Sequence, residues 1–371
     1  MEGREESYCY SELYITAERI ALTILPPLPP VKVNNKHDDT PLICIMSGRH
    51  FGLIASMLGI LLTRSAFVPV DPTFPTERQA YILRHSQCSL LIADEESYRS
   101  VSALGVTLPP VNAVSSEGLV LHEPLLNPLL SEGCLDFPPL NGTQSLEIRQ
   151  RGENSKSDGG VMYVLYTSRS TGKPKGVVVP NAGVTNVVNF FAARLNIDRT
   201  HRVLGLTTVC FDISMLETFL PLSRGAVLIL ADSLSQRDPF RLLEVITECK
   251  VIIMQATPTT YEMLFATGWK GDKDIDLLVG GEAFRQGLLP LLKKCRTCRN
   301  VYGPTKTTIW SSCFLLAPSY NDYASASNAS SQVIPIGAPI SDTVFYIADP
   351  GSEDEFDGFR LACDDEGEPL R

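Results

Sequence analysis

Residues 167–176 form a loop of hydroxyl-bearing, small and basic residues directly after an apolar, strand-like run. Small side chains let backbone amides approach phosphate oxygens, while hydroxyls and lysines add donors and positive charge. The spacing is not that of a P-loop, because Pro174 follows Gly172 and Lys173 where a helix would have to begin. Taken alone, the loop is equally well interpreted as a polar hairpin. Its candidate phosphate-binding residues are Thr167, Ser168, Ser170, Thr171, Gly172, Lys173 and Lys175.

Two later segments carry residues suited to an amine and a purine. Asp212 lies between a predicted strand and a predicted helix, where its carboxylate could cap that helix or bind an ammonium group. The ring of Tyr302 could stack on a base, and Gly280 and Gly281 leave room for a nucleotide. Without further context, an ordinary turn with a core tyrosine is the preferred interpretation of the segment around Tyr302.

Alternating strand and helix patterns must position these residues. Apolar runs of strand length at 42–46, 66–70 and 89–93 are separated by helical patterns, which predicts βαβ crossovers and parallel strands. From residue 161 onward strands and helices alternate again, so a second wound α/β lobe is expected, with ligand-binding loops at the strand ends. The predicted division is a first α/β lobe at 1–97, a partly disordered insertion or linker at 98–160, a second lobe with the phosphate loop and substrate pocket at 161–317, a flexible insertion at 318–332 and the start of a β-rich section at 333–371.

Composition excludes several functional classes. The formal net charge of -10 leaves no positive surplus for a nucleic-acid backbone. The longest apolar run, at 51–62, is far shorter than the roughly 20 residues of a membrane span. Scattered cysteines and an N-terminus unlike a secretory signal predict a cytoplasmic protein with reduced thiols.

The loop at 167–176 closely resembles the phosphate-binding loop of the adenylate-forming (acyl-activating) superfamily, with Arg169 where that loop usually has glycine. Further segments resemble nonribosomal peptide synthetase adenylation domains and follow the order of that branch. They lie at 10–13, 66–72, 211–214, 255–258, 280–283, 301–305 and 336–340. The resemblance implies two packed, wound α/β lobes of the N-terminal core. It also implies truncation at both ends and a missing small C-terminal lobe.

The resemblance further implies an activity and a set of roles. A carboxylic acid, expected to be a neutral amino acid, would be activated by ATP as its acyl adenylate and passed to the thiol of a carrier protein or CoA. Thr305 and Lys175 would be catalytic, and Asp212 would hold the substrate α-amine. Nucleotide-binding residues would be Gly280, Gly281, Glu282, Val301, Tyr302, Gly303 and Thr305. The acyl pocket would be lined by Asp212, Ile213, Leu216, Leu278, Gly280, Val301, Ile309 and Trp310, which leave a charged substrate side chain without a counter-ion. Core packing of the apolar members is the alternative.

One departure from the family pattern concerns the metal. Lys306 occupies the position where the resemblance implies a glutamate that coordinates Mg²⁺, and an ammonium group cannot ligate a hard cation. The sequence therefore predicts no metal ligand there and adenylation impaired by Lys306 and by the truncation.

Three alternatives stay open. A catalytically inactive AMP- or ATP-binding homologue or fragment is favoured by Lys306. A fatty-acyl or aryl-acid CoA ligase is opposed by Asp212, because an acid without an amine has no use for that carboxylate. A scaffold remnant in a larger assembly would have no affinity for ATP.

Overall fold

The computed structural model of this chain describes residues 6–25, 40–102, 111–114, 120–122, 160–169, 172–292, 294–316 and 334–346. No helix in these ranges combines the length and apolarity that crossing a bilayer requires. Two seven-stranded sheets form the framework, and most of their neighbouring strands run parallel. This architecture confirms the prediction of two wound α/β lobes.

The first sheet has the strand order β5-β4-β3-β1-β2-β6-β7. In chain order its lobe comprises α1 (Tyr10–Ile24), β1 (Leu42–Met46), α2 (Phe51–Leu62), β2 (Ala66–Pro69), α3 (Thr76–His85), β3 (Leu90–Ala93), α4 (Glu95–Ser102), β4 (Val111–Val114), β5 (Val120–His122), β6 (Val161–Arg169) and β7 (Gly172–Pro180). The central strands β1, β2 and β3 are short apolar runs and are almost wholly buried. Such runs are typical of parallel strands covered on both faces.

The hairpin that carries the predicted phosphate loop belongs to the first sheet. Sequence analysis placed residues 161–180 at the start of the second lobe, and the structure corrects this boundary. Strand β6 runs parallel to β2, with Phe67 opposite Tyr163, and pairs antiparallel with β7. The correction has a physical cause: the apolar start of β6 completes the buried face that β2 would otherwise expose, and this pairing is distant in sequence.

The predicted insertion at 98–160 also contains regular structure. Helix α4 extends into it, β4 pairs parallel with β3, and β5 pairs antiparallel with β4. These strands were missed because each is only three or four residues long, too short for a clear periodic pattern. Residues 123–159 and the predicted flexible insertion at 318–332 lie outside the described residues, as does residue 347 onward.

The second sheet has the strand order β14-β13-β12-β11-β10-β8-β9. Its elements are α5 (Asn181–Arg194), β8 (Arg202–Gly205), α6 (Ile213–Arg224), β9 (Val227–Leu230), α7 (Pro239–Glu248), β10 (Ile253–Ala256), α8 (Pro258–Ala266), β11 (Asp276–Val279), α9 (Leu289–Leu292), β12 (Thr297–Tyr302), β13 (Ser312–Leu315) and β14 (Ala338–Pro339). Short 3-10 turns lie at Gln286–Leu288 and Thr305–Thr307. The segment between β11 and β12 thus contains only a 3-10 turn followed by one helical turn, Leu289–Leu292.

Local sequence fixes several helix ends in this lobe. Asp238 caps α7 by accepting a hydrogen bond from the Phe240 amide at 2.9 Å, and proline occupies the first turn. Thr257 caps α8 in the same way. Helix α6 ends at Gly225, whose φ of 70° is a left-handed conformation that glycine adopts at no steric cost.

One apolar cluster spans both lobes. It includes Phe67 and Tyr163 from the first sheet together with Ile213 and Trp310 from the second lobe. The hydroxyl of Tyr10 in α1 adds polar contacts, because it donates to the carbonyls of Pro221 and Ala226 at 3.1 and 2.7 Å. The lobes are therefore packed against each other, and residues from both can contribute to one site.

Candidate functional site

Most of the predicted site residues follow strands at one edge of the second sheet. Asp212 lies between β8 and α6, Thr257 follows β10, Gly280 follows β11 and Tyr302 ends β12. Because β8, β10, β11 and β12 are parallel, their carboxyl ends meet at this edge. The crevice outside the carboxyl ends of such strands is where open α/β sheets bind ligands.

Asp212 is buried but is not satisfied by the protein. It precedes α6 in a helical conformation, and its side chain forms no capping hydrogen bond. Its Oδ2 atom is buried without a hydrogen-bond partner. Burial raises the pKa of Asp212, and hydrogen bonding by Thr305 and by the Ile213 amide partly opposes this rise. Of the two roles proposed from sequence, the geometry excludes the helix cap.

A second orphaned polar atom lies in the first lobe, within the electrostatic influence of Asp212. The hydroxyl of Tyr163, in the fully buried middle of β6, has no hydrogen-bond partner. Its pKa is raised by burial and also by the nearby charge of Asp212. A buried polar group left unpaired costs about 1–3 kcal/mol, so two of them at one place make this a candidate ligand position. Tyr163 was missed from sequence, although a tyrosine in a buried strand signals a hydroxyl that needs a partner.

The raised pKa of Asp212 makes stability depend on pH. Between the ordinary carboxyl pKa of about 4 and the raised value, the folded state binds more protons than the unfolded state. The free energy of unfolding therefore falls as pH rises through this window. Since asparagine cannot ionise, Asp212→Asn is expected to stabilise the unliganded protein more at about pH 7 than at about pH 4. Urea unfolding at both pH values measures the difference, and a pH-independent difference would contradict the prediction.

A buried polar network lies beneath the Asp212 loop. The side-chain amide of Gln255 donates to the Ile213 carbonyl at 2.9 Å and to Glu217 at 3.2 Å, and its oxygen accepts from Trp310 Nε1 at 2.8 Å. Glu217 also accepts from the backbone amide of Thr207 at 2.8 Å and from its hydroxyl at 2.6 Å. Burial raises the pKa of Glu217. Sequence analysis assigned no role to Gln255 or Glu217; their polarity inside apolar segments is the only signal.

Arg49 connects the first lobe to this network. Its guanidinium donates to the carbonyls of Gly205, Thr207 and Ala231 at 2.7, 2.5 and 2.7 Å. These carbonyls lie at the carboxyl ends of β8 and β9 and in the loop that leads to Asp212. Burial lowers the pKa of Arg49, while the charge of Glu217 opposes that shift. Arg49 was not singled out from sequence, because its partners lie more than 150 residues away.

The structure brings the predicted acyl-pocket residues together. They are buried and belong to a single apolar cluster: Ile213, Leu216, Leu278, Val301, Ile309 and Trp310. Gly280 is buried beside them, and a Cβ atom there would lie 2.4 Å from the Val301 carbonyl oxygen and 2.6 Å from Trp310 Cη2. Both interpretations of the sequence, a pocket wall and a plain core, require this packing.

The predicted adenine residues lie at the rim. Tyr302 is about half exposed, so part of its side chain is accessible to a ligand. Gly281 has a φ of 83°, and Glu282 is exposed and accepts a hydrogen bond from Thr259 at 2.6 Å. A Cβ atom at Gly303 would lie 2.6 Å from the backbone of Trp310, which explains why glycine stands there.

The phosphate hairpin reaches the same place from the first sheet. Lys173 and Lys175 are exposed, Thr167 is half-buried, and β7 packs beside the Thr305–Thr307 turn. Tyr81 of α3 holds the hairpin by donating to the Pro174 carbonyl at 3.1 Å. Ser168, Arg169 and Gly172 lie on the paired strands. The side chains of Ser168 and Arg169, and all of Ser170 and Thr171, lie outside what the structure describes.

The backbone after the Thr305–Thr307 turn is strained. Thr308 and Ile309 have φ values of 68° and 56°, in the left-handed region that β-branched residues avoid. Each such residue costs about 1–3 kcal/mol and persists only where its surroundings enforce it, often at functional sites. Here the strain places Ile309 and Trp310 in the core immediately after exposed residues.

The residues of this turn do not fit a magnesium ion. Lys306 is exposed in the turn, and a charged ammonium group has no lone pair for a metal. In the part of the chain that the structure describes, no group of three or more His, Cys, Asp or Glu side chains could hold a metal ion. The Thr305–Thr307 turn therefore offers no carboxylate to the Mg²⁺ that the family resemblance implies.

A known protein family matches nearly the whole chain. The family profile described as AMP-binding enzyme matches residues 2–360. The chain belongs to this family. It is thus a member of the adenylate-forming superfamily and lies in the nonribosomal peptide synthetase branch of that superfamily.

The similar relatives are large multidomain synthetases. A dimodular nonribosomal peptide synthase of Bacillus subtilis (strain 168) is 35% identical over 300 residues, which cover 81% of this chain and 11% of the relative. The PKS-NRPS hybrid synthetase acdB of Aspergillus candidus is 29% identical over 321 residues, 86% of this chain and 11% of that protein. This member of the AMP-binding family thus spans about a tenth of the length of these relatives.

Solved structures show the same fold. Holo-AB3403, a four-domain nonribosomal peptide synthetase bound to AMP and glycine, superposes with a TM-score of 0.68 at 27% identity and covers 89% of this chain and 21% of that one. The nonribosomal peptide synthetase FmoA3 in its AMPPNP-bound form superposes with a TM-score of 0.69 at 22% identity. The match covers 92% of this chain and 32% of the FmoA3 chain, and at this identity it supports the fold alone.

Proposed function

We propose that this chain binds ATP and an α-amino acid with an uncharged side chain and joins them as an aminoacyl adenylate. The observation that carries the proposal is the pair of orphaned polar atoms, Asp212 Oδ2 and the Tyr163 hydroxyl, buried together at the carboxyl-end edge of the second sheet. An ammonium group supplies donors that satisfy both oxygens and a charge that compensates the buried carboxylate.

In this reaction a carboxylate oxygen of the amino acid attacks the α-phosphorus of ATP. The bond from that phosphorus to the bridging oxygen breaks, and pyrophosphate leaves. The chain's residues position the reactants and neutralise charge rather than form a covalent intermediate. Asp212 holds the α-amine, Thr305 beside it contacts the α-phosphate, and the exposed Lys173 and Lys175 face the departing phosphates.

The remaining roles follow from exposure and packing. Tyr302 stacks on adenine through its exposed side chain, while Gly280 and Gly281 allow the base to approach the backbone and Glu282 borders the same site. The apolar cluster around Trp310 borders the α-carbon of the amino acid, and a charged side chain is disfavoured there because it would lose hydration without gaining a partner. The acceptor that we propose is a carrier-protein thiol, because the relatives are nonribosomal peptide synthetases.

A second candidate function is nucleotide binding with little or no adenylation. Lys306 favours it, because its positive charge attracts phosphate without the geometric restraint of a metal ion. The fatty-acyl and aryl-acid alternatives are disfavoured by Asp212, since an acid without an amine would leave its buried carboxylate unpaired.

Two measurements on the purified chain test the proposal. Titration calorimetry with ATP and AMP reports nucleotide binding, and ATP–pyrophosphate exchange with a panel of neutral amino acids reports adenylation. Exchange that depends on one amino acid supports the proposed activity. ATP binding without exchange supports the second candidate, and absence of nucleotide binding rejects both and leaves the scaffold alternative.

Lys306 gives a prediction for the metal. We expect the native chain to bind ATP with similar affinity in Mg²⁺ and in EDTA, and Lys306→Glu to bind about tenfold more tightly with Mg²⁺ than without it. The reason is that a carboxylate supplies a metal ligand and removes the direct phosphate contact. Calorimetry in both buffers measures the ratio, and Lys270→Glu, another exposed lysine of the same lobe, is the control. A native chain that already requires Mg²⁺ contradicts the prediction.

A further inference from the structure

The side-chain compartment next to Asp212 is filled by the protein itself. The indole of Trp310 is 1% exposed and lies directly over Gly280, with Cη2 2.6 Å from the position that a Cβ atom would take there. That distance is shorter than any ordinary carbon contact, so not even a methyl group fits between the ring and the backbone of residue 280.

Two hydrogen bonds fix the orientation of the ring. Trp310 Nε1 donates to Gln255 Oε1 at 2.8 Å, and Gln255 in turn donates to the Ile213 carbonyl at 2.9 Å. All three groups are buried, so swinging the indole aside would leave buried polar atoms unpaired. The indole is therefore held in a fixed orientation. Gln255 connects it through hydrogen bonds to Ile213, the residue that follows Asp212.

The other side of the compartment is also closed. Ile213 Cδ1 lies 3.2 Å from the Cβ position of Gly281, whose positive φ in addition disfavours any side chain. Leu278, Val301 and Ile309 are buried in the same cluster and complete the enclosure. Packing by these buried side chains leaves room beside the amine anchor only for a substrate with very little bulk on its α-carbon.

We propose that the amino acid selected by this chain is glycine, because Trp310 excludes any side chain. The proposal rests on the proposed function and names its substrate. Trp310 is then the specificity-determining residue, and Gln255 is a positioning residue that acts through it. An added methyl group in such a site weakens binding about tenfold or more, and a branched side chain by at least about 100-fold.

The test uses three stable adenylate mimics, the glycyl, alanyl and leucyl derivatives of 5′-O-sulfamoyladenosine. The chain has two tryptophans, so Trp269→Phe leaves Trp310 as the single indole reporter of binding. We expect the glycyl mimic to bind and to change Trp310 emission, with the alanyl mimic about tenfold and the leucyl mimic at least about 100-fold weaker. Equal affinity for the glycyl and leucyl mimics overturns the proposal.

Titration calorimetry on two matched variants separates specificity from stability. Trp310→Ala is expected to raise the affinity for the leucyl mimic at least tenfold relative to the affinity for the glycyl mimic. Trp269→Ala removes an equally large, buried ring that stacks on Phe265 in a different apolar cluster, and it should leave the affinity ratio unchanged. An unchanged ratio in folded Trp310→Ala counts against the proposal. If that variant does not fold, the affinities of Trp310→Phe and of the native chain for the three mimics decide whether Trp310 sets the specificity.

The outcomes also separate this inference from the function on which it rests. If ATP and all three mimics fail to bind, the proposed function is wrong and the inference falls with it. If ATP and the mimics bind without preference for the glycyl form, the proposed function stands and the glycine assignment alone is wrong.

Discussion

Replacing Asp212 by asparagine is expected to weaken amino-acid binding by about 100- to 1,000-fold, or about 3–4 kcal/mol. The carboxylate is buried, and its Oδ2 atom has no hydrogen-bond partner in the part of the chain that the structure describes, so the substrate ammonium group supplies its compensating charge. Asparagine keeps the shape but replaces a charge-assisted hydrogen bond by a neutral one. Calorimetry with the amino acid in the presence of AMP measures the loss.

Two controls restrict the interpretation of that loss. The affinity for AMP alone should stay within a few fold, because the adenine and phosphate contacts proposed here do not involve Asp212. Asp238→Asn makes the same chemical change at an exposed helix cap and should leave amino-acid affinity unaltered. If Asp212→Asn bound the amino acid as tightly as the native chain, the assignment of the amine site would be wrong.

Arg49→Met is expected to lower the free energy of unfolding by about 3–5 kcal/mol. Three carbonyls of the second lobe lose the guanidinium donor, of which Gly205 alone keeps the Ala231 amide at 3.0 Å, and buried Glu217 loses the compensating charge of Arg49. Methionine retains most of the apolar stem, so the effect reports the guanidinium rather than lost packing. Urea unfolding followed by circular dichroism measures the change.

Two matched substitutions serve as controls for the Arg49→Met prediction. Arg49→Lys keeps the charge, but a lysine ammonium group cannot donate to three carbonyls that are arranged around a planar guanidinium. Most of the decrease in the free energy of unfolding should therefore remain. Arg99→Met removes an arginine whose ion pair with Glu95 is exposed, and it should cost less than about 1 kcal/mol. If Arg49→Met and Arg99→Met were equally mild, Arg49 would not be the connection between the lobes that its contacts indicate.

Sequence patterns predicted the individual helices and strands better than the pairing of the strands into sheets. The buried runs that became β1, β2 and β3 and the helices between them were visible because local periodicity and caps determine them. The pairing of β6 with β2 was not, since it joins Tyr163 to Phe67 across almost 100 residues. Strands as short as β5 carry too few residues for any pattern to rise above chance.

The candidate site was predictable where chemistry lay in a contiguous motif, as in the phosphate loop and the segment around Tyr302. Tyr163, Gln255, Glu217 and Arg49 were missed because each acts through partners distant in sequence. A glutamine in an apolar strand shows that a buried hydrogen bond is needed, but only the fold shows that Trp310 is the donor.

Tyr163 and Asp212 belong to different lobes, and this has a thermodynamic consequence. A molecule that satisfies both orphaned oxygens is bound by the two lobes at once, so its binding free energy adds to the cohesion between them. Linkage then works in both directions: saturating ligand should delay the separation of the sheets on heating, and any mutation that loosens their contact should weaken the ligand. The bound substrate would thus hold the two lobes together by contacting both of them.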